Sequence, residues 1–413
     1  MYIKRTDEDL IKDVSKKFAV LILTGPRQVG KSTTLLHLKP DNMKYVTLDD
    51  FSARKLAVED PKYFLETYGT PLLIDEIQYA PNLLSFIKIK VDEYKFNNLK
   101  NNKDNEAIYW LTGSQQFKVM KNISESLAGR AAIININSLS FNEINRLDDS
   151  LFSPVISDIQ KKKMTKIYNS KDIFHRIFMG GMPSIVVDES IRDMYFSSYI
   201  NTYIERDVKE IVNVGKSLDF FNFLQYIAAR TAQEINYSTI SKEIGVDAKT
   251  IKSWISILEA SGIIFLLEPY STNKSNRLIK SKKLYFMDTG FCTYLAKYPN
   301  EETLENGALS GAIFETFVVT EIIKNLINHG VDPTINLFYY RDNNQKEIDL
   351  LYVQADSIYP IEIKKGVYPN HPDKNFNALN KYNLNIKPGL VICLTDKLMP
   401  INKDCWLCPV SLI

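Results

Sequence analysis

The sequence predicts a multidomain α/β protein whose first domain is a parallel sheet carrying a phosphate-binding loop. Three observations lead there. Gly25-Pro26-Arg27-Gln28-Val29-Gly30-Lys31-Ser32 fills every position of the pattern G-x-x-x-x-G-K-[ST]. The apolar run Ala19-Val20-Leu21-Ile22-Leu23 precedes it as a buried strand, and Thr33-Thr34-Leu35-Leu36 follows as the start of a helix. From Phe18 to about Asn137, apolar strands then alternate with helical segments, the pattern of a parallel sheet. The 413 residues exceed one ordinary core, and ~150 residues per domain suggests about three domains.

The loop comes first in the chemistry. Its glycines let the backbone wrap a phosphate, and successive N–H groups with a helix N-terminus present positive charge to it. Residues Gly25 to Ser32, with Thr33, therefore form the expected nucleotide site. Lys31 would reach the β and γ oxygens, and Ser32 would hold Mg²⁺. The five strands expected are 19–24, 44–48, 71–74, 107–112 and 130–136. The third, Leu72-Leu73-Ile74-Asp75-Glu76, delivers two carboxylates to the edge where open α/β sheets place ligands. There Asp75 would bind Mg²⁺ through water and Glu76 would polarise the attacking water. Thr112 or Ser114, ending the fourth strand, would sit between the first and third strands near the γ-phosphate, or simply form a turn. Arg130 suits a finger completing a neighbouring subunit's site, and equally suits an ordinary surface position. Residues 97–105 are polar and turn-rich, a surface loop. No Asn-Lys-x-Asp or Thr-Lys-x-Asp base-reading motif occurs, so ATP is expected over GTP.

Composition narrows the class. A hydrophobic content of 45% and a charged content of 24% are ordinary for a soluble globular protein. A net charge of +2 excludes a uniformly basic nucleic-acid binder, so any DNA contact must be local. Cys292, Cys393, Cys405 and Cys408 are too few and too late for a disulfide framework and read as buried structural thiols. Charge follows Met1-Tyr2-Ile3-Lys4-Arg5 instead of an apolar segment, and no stretch approaches the ~18 apolar residues of a membrane span, so a cytoplasmic protein is expected.

Beyond Glu143 the pattern weakens into a connector containing Lys161-Lys162-Lys163. Gly180-Gly181-Met182-Pro183 breaks a helical segment, and an aromatic-rich helix follows over about 191–214. A short helix capped by Ser238 and ended by Gly245 leads to a second one, capped by Asp247, with Ile251, Trp254, Ile255 and Leu258 on one face. Lys249, Lys252, Ser253 and Ser256 occupy the other face, suited to a major groove. A strand, a loop and a second strand then outline a winged helix. The loop carries Lys274, Arg277, Lys280, Lys282 and Lys283, which could meet DNA phosphates or form a solvated edge of a docking module.

In the last third, Lys346-Glu347-Ile348-Asp349-Leu350-Leu351-Tyr352-Val353 and Tyr359-Pro360-Ile361-Glu362-Ile363-Lys364-Lys365 read as neighbouring strands. Period-two alternation puts Glu362 and Lys364 on one face, where Asp349 joins them. Two carboxylates could gather Mg²⁺ against a phosphodiester, the lysine could activate water, and Glu315 could supply a third acidic ligand. This arrangement resembles the restriction-endonuclease-like superfamily. By text alone it is weak, since Glu93-Tyr94-Lys95 matches E-x-K too.

The phosphate loop, the Leu-Ile-Asp-Glu strand, Leu111-Thr112-Gly113-Ser114 and Ser126-Leu127-Ala128-Gly129-Arg130 resemble the AAA+ ATPases. With Tyr203-Ile204-Glu205-Arg206-Asp207-Val208 and Phe286-Met287-Asp288-Thr289-Gly290, they are similar to prokaryotic AAA-type ATPases whose C-terminal half was long filed as a domain of unknown function. The resemblance implies an ATPase core over 1–142, a helical lid over 143–225, a winged helix over 226–290 and a nuclease-like α/β domain over 291–413. It also places Arg206 near the nucleotide or a subunit interface, unless it forms an ordinary helix salt bridge. The expectation is a homo-oligomeric Mg·ATPase working on DNA. The alternative is an ATP switch whose nucleotide state controls assembly or protein partners.

Overall fold

Apolar runs become strands where the sequence expects them: β1 (Val20–Gly25), β2 (Lys44–Thr47), β3 (Leu72–Asp75), β4 (Tyr109–Ser114) and β5 (Ala131–Asn135). The computed structural model describes residues 2–102, 104–114, 126–147, 149–162, 166–203, 217–271, 281–382 and 384–413. The chain divides into two compact units. The first comprises Met1–Leu139, Ala260–Gly262 and Ile327–Gly330, and the second comprises the rest. The first unit holds β1 to β5 in the order β2-β3-β4-β1-β5, with every neighbouring pair parallel. All six residues of β1 are buried, which is why its sequence is continuously apolar and does not alternate. Because β4 lies between β1 and β3, the order brings Thr112 between the phosphate loop and the Asp75 strand, as expected.

The polar run at 97–105 differs from expectation. Helix Leu83–Lys100 continues through its first four residues, and the buried Asn98 amide donates to Asp104 O (3.0 Å) and Asn105 Oδ1 (3.3 Å). A helix that buries Leu84, Ile87 and Val91 carries its polar C-terminal turn along with it. The E-x-K match at Glu93 lies on this same helix, away from any strand.

In the second unit, helix Tyr237–Ile244 is capped by Asn236, not Ser238. The Asn236 side chain accepts Thr239 N at 3.0 Å, so the helix starts one residue before Ser238. Gly245 ends it at φ 79°, and Asp247 caps helix Ala248–Ala260 by accepting Thr250 N at 2.9 Å. Trp254 is fully buried, with ring centroids 5.2 Å from both Phe220 and Phe223. Strands β6 (Gln233–Glu234), β7 (Ile264–Leu267) and β8 (Lys283–Phe286) make the small antiparallel sheet β6-β8-β7.

The larger sheet of this unit has seven strands: β9 (Leu337–Arg341), β10 (Glu347–Gln354), β11 (Ser357–Lys364), β12 (Asn385–Ile386), β13 (Gly389–Cys393), β14 (Met399–Asn402) and β15 (Cys405–Pro409). Its order is β14-β15-β13-β11-β10-β9, with β12 beside β11. Pairs β10–β11 and β9–β10 are antiparallel, whereas β11–β13 and β13–β15 are parallel. All four cysteines are free and buried, as the sequence implies. An isolated parallel bridge joins Pro269, just past β7, to Tyr339 on β9.

The Gly180-Gly181 and Asp288-Thr289-Gly290 segments explain each other. Asp288 accepts Gly181 N and Phe291 N, each at 2.9 Å. A Cβ on Gly290 would lie 2.4 Å from Met179 O and 2.7 Å from Gly180 N, both backbone atoms that cannot yield. Gly290→Ala should therefore cost ~1–3 kcal/mol by overpacking. Chemical denaturation of the full chain reads this as an earlier transition, and an unshifted midpoint would contradict the packing.

Candidate functional sites: a phosphate loop and a buried charge cluster

At the first site, the loop leaves β1 at Gly25, with φ 147°. Any Cβ there would stand 2.1 Å from Ile136 O, so only glycine permits this close approach. Gly30 (φ 98°) precedes helix Lys31–Leu38, whose first bond is Thr34 N to Gly30 O at 2.8 Å. The Lys31 ammonium is buried and folds back on its own loop, donating to Gly25 O (3.0 Å) and Pro26 O (2.7 Å). This loop geometry encloses residues Gly25, Pro26, Arg27, Gln28, Val29, Gly30, Lys31, Ser32 and Thr33 as one continuous strand-loop-helix turn.

Hydroxyls converge on Asp75. Ser32 Oγ donates to Asp75 Oδ1 at 2.7 Å, Thr112 Oγ1 donates to the same oxygen, and Tyr45 OH donates to Oδ2 at 3.3 Å. The phenol of Tyr45 is raised above its ordinary pKa by burial and by the Asp75 charge. Thr112 Oγ1 also accepts Glu76 N at 3.0 Å, tying both acidic residues to β4. Glu76 itself is left-handed, φ 59° and ψ 48°, a conformation that costs ~1–3 kcal/mol and concentrates at functional sites. Its carboxylate accepts from the Gln78 side chain. Neutral hydroxyls thus answer the buried Asp75 carboxylate, an arrangement with room in its charge balance for a cation.

Arg130 does not stand free. Its guanidinium forks the Asp92 carboxylate of the same chain, Nε to Oδ1 at 2.6 Å and Nη2 to Oδ2 at 3.0 Å. The side chain of Ser114, and all of Arg206, Lys274, Arg277 and Lys280, lie outside the described residues.

The second site lies within the second unit and brings Asp349, Glu362 and Lys364 together as strand alternation requires. Register pairs Leu350 with Ile361, which sets Asp349 opposite Glu362 on one face. Lys364 Nζ lies 2.6 Å from Glu362 Oε1 and 3.5 Å from Asp349 Oδ2, and Asp349 Oδ2 also accepts Ile363 N at 2.8 Å. Glu362 Oε2 is buried with no hydrogen-bond partner.

Two expectations need correction here. Lys283 is not a DNA-facing wing residue: it is 2% exposed, with Nζ 3.1 Å from Glu315 Oε1 and 2.5 Å from Glu347 Oε1. Neighbours on a strand face opposite ways, and Lys282 pairs with Glu268 at 3.0 Å while Lys283 turns inward. Nor does Glu315 stand as a third metal ligand beside Asp349 and Glu362. Lys283 and the Tyr285 hydroxyl (2.7 Å) hold it, and among the described residues no three acidic, histidine or cysteine side chains are arranged to grip a metal ion. Lys283, Tyr285 and Glu347 are the members whose roles sequence reasoning misses. For Lys283 and Tyr285 the only signal is a lysine and a tyrosine two apart on a strand that is otherwise apolar.

The cluster's electrostatics follow from burial. Desolvation, then Asp349, raise Glu362 to about 8 against the pull of Lys364. Desolvation raises Glu315 to about 7, Lys283 opposing and Asp349 adding to it. Burial alone would depress the Lys283 ammonium, yet Tyr285, Glu315, Asp349 and Glu347 outweigh it and hold the group well above an ordinary lysine. Raised carboxyls bind protons in the folded chain at pH values where the unfolded chain has released them, so their contribution to stability is fully present below the ordinary carboxylate range and is lost as pH rises through about 8. In chelator, the melting temperature should fall between pH 5 and 8, and Glu362→Gln should flatten that slope. An equally steep slope in Glu362→Gln would place the titration elsewhere.

Residues 17–145 match a family model described as an AAA domain. Residues 170–302 and 310–413 match two models described as domains of unknown function, DUF8612 and DUF4143. Uncharacterized proteins of Mycobacterium tuberculosis and Mycobacterium bovis are each 25% identical over 356 residues, 85% of this chain and 71% of theirs. Among solved structures, a Walker-type ATPase of Pyrococcus abyssi overlaps 70% of this chain and 94% of its own at 13% identity and a TM-score of 0.40, too loose a likeness to argue from. The chain carries a P-loop domain of the AAA kind on a parallel five-stranded sheet, and a mixed sheet toward its C-terminus. Among the described residues, no helix is long and apolar enough to cross a membrane.

Proposed function

We propose that the chain binds and hydrolyses Mg·ATP and couples that cycle to work on DNA. One observation carries the ATPase reading: Lys31, Ser32, Asp75, Glu76 and Thr112 meet at the carboxyl edge of one parallel sheet through short hydrogen bonds. Ser32 and Asp75 would hold the magnesium ion, whose positive charge offsets that of the phosphates and of the transition state. Lys31 has two carbonyl acceptors to exchange for phosphate oxygens, a gain because charged acceptors bind an ammonium more strongly than neutral ones. Glu76 polarises water, and Thr112 keeps its backbone in step with Asp75.

The DNA part rests on helix Ala248–Ala260, which buries Ile251, Trp254, Ile255 and Leu258 and leaves Lys249, Lys252, Ser253 and Ser256 exposed. That face fits phosphates and base edges in a major groove. Strand cleavage is the further part. Asp349 and Glu362 would hold a divalent ion, and the partnerless buried Glu362 Oε2 is the acceptor that fits one. Lys364 is 40% exposed and stands at the mouth of this pair, able to face a phosphodiester.

A second reading, the regulatory switch, draws on two other contacts. Gln78 engages the Glu76 carboxylate and Asp92 engages Arg130, so both groups that would speed turnover are occupied in this state. Steady-state hydrolysis with and without duplex or four-way-junction DNA separates the readings: stimulation supports the motor, and slow turnover indifferent to DNA supports the switch.

Lys31→Ala should weaken ATP binding about 10–100-fold, the loss of a charge-assisted hydrogen bond, and remove hydrolysis without changing the fold. Hydrolysis surviving in that variant would sink the assignment. Lys249→Ala with Lys252→Ala should reduce DNA stimulation and lower the salt dependence of DNA binding by about two counter-ions, one for each phosphate no longer neutralised. An unchanged salt slope would remove this helix from the interface.

A further inference from the structure

Four carboxylates of the second unit's cluster, Glu315, Glu347, Asp349 and Glu362, face two ammoniums, Lys283 and Lys364. Arg341 also approaches Glu347, at 3.6 Å, but it pairs more closely with Glu234 at 3.1 Å and leaves the imbalance unchanged. The two lysines divide the carboxylates between them. Lys364 takes Asp349 and Glu362, and Lys283 takes Glu315 and Glu347.

The halves differ in what can leave. Lys364 is 40% exposed, so its long stem can carry the ammonium into water when another cation arrives. Lys283 is 2% exposed, comes from β8, and is held by Glu315 and Glu347 within 3.1 Å. Tyr285, two residues on along the same strand face, adds a hydroxyl to Glu315 at 2.7 Å and fixes that carboxylate where Lys283 needs it. Withdrawing this ammonium would strand two buried carboxylates, so the position is closed to exchange.

We propose that Lys283 is a resident cation: it fills the place of a second divalent ion, and the cluster takes a single divalent ion at Asp349 and Glu362. The proposal rests on reading Asp349 and Glu362 as a cation centre. It gives Lys283 a positioning role, acting through Glu315 and Glu347. It also separates this centre from two-metal sites, in which paired ions clamp the attacking and leaving oxygens.

The test is a calorimetric Mn²⁺ titration of nucleotide-free, full-length protein carrying Asp75→Asn, which removes the β3 carboxylate that would hold an ion beside the phosphate loop. One ion should bind, and adding Glu362→Gln should abolish it. Lys283→Met, similar in length and uncharged, should admit a second ion. If Lys283→Met alone does not fold, Lys283→Met with Glu347→Gln removes one charge of each sign. That pair should bind its single ion about tenfold more tightly or better, because Glu315 is freed to join the ligands. Two ions in the Lys283-containing protein would overturn the proposal. So would a single ion of unchanged affinity in the folded Lys283 variants, while leaving the Asp349–Glu362 centre standing. No ion in any form would overturn that centre, and the role of Lys283 with it.

Discussion

Charge taken out of water has to be met inside the protein, and the second unit is organised around that demand at Lys283. An isolated ammonium at 2% exposure would be untenable. Glu315 on helix Ser310–Asn328 and Glu347 on β10 both turn toward it, and Tyr285 secures Glu315. These contacts tie the small sheet, the long helix and the seven-stranded sheet to one point. A buried ion pair of this sort contributes little net stability compared with apolar packing, since desolvation consumes most of the Coulomb gain. It does specify one arrangement, because any slip of β8 by one residue would put Lys282 inside and Lys283 in water.

The first unit meets the same demand with different chemistry. Asp75 is 6% exposed, and Ser32, Thr112 and Tyr45 give it hydroxyls. Lys31, 7% exposed, is met by backbone carbonyls. Hydroxyl dipoles answer the Asp75 carboxylate without cancelling its charge, and backbone carbonyls are among the partners of Lys31. Under the proposed ATPase reading, the lysine would face a polyanion and the aspartate its metal ion.

How much of this is legible in the sequence follows from how local each signal is. The phosphate loop, β1 and the Asp75 strand can be read because glycine geometry and continuous burial leave their mark within eight consecutive residues. Caps are legible to within a residue or two: Asp247 is where the sequence puts it, whereas Asn236 and Ser238 are both good cap residues two apart, and only the fold chooses Asn236. Strand alternation suffices for Asp349, Glu362 and Lys364. Lys283 misleads because composition shows a basic run, while facing is decided by which residue begins β8. Glu347, inside a strand that the sequence does reveal, carries no sign of its role because its partner lies 64 residues earlier, a separation no local pattern encodes. Arg130 is visible as a residue, but its engagement by Asp92 depends on packing between a helix and a strand end.

The contrast between the centres bears on what each can do. Where neutral donors meet a buried charge, a ligand brings the opposite charge and leaves with it, which suits a cycle of binding, hydrolysis and release. Where lysines already supply part of the opposite charge, only the remainder is open to a ligand. In the Asp349–Glu362 half, that remainder is marked by Glu362 Oε2, buried and without a partner. Orphaned acceptors are rare because each costs on the order of 1–3 kcal/mol. A proton on Glu362 relieves the cost in the absence of metal, consistent with a carboxyl raised to about 8. A divalent cation held there, as proposed, would displace that proton, and a cation that competes with a proton binds more tightly as pH rises. The metal-free cluster is thus least comfortable as pH rises through about 8, where Glu362 loses its proton and a cation at the proposed centre would gain most by entering.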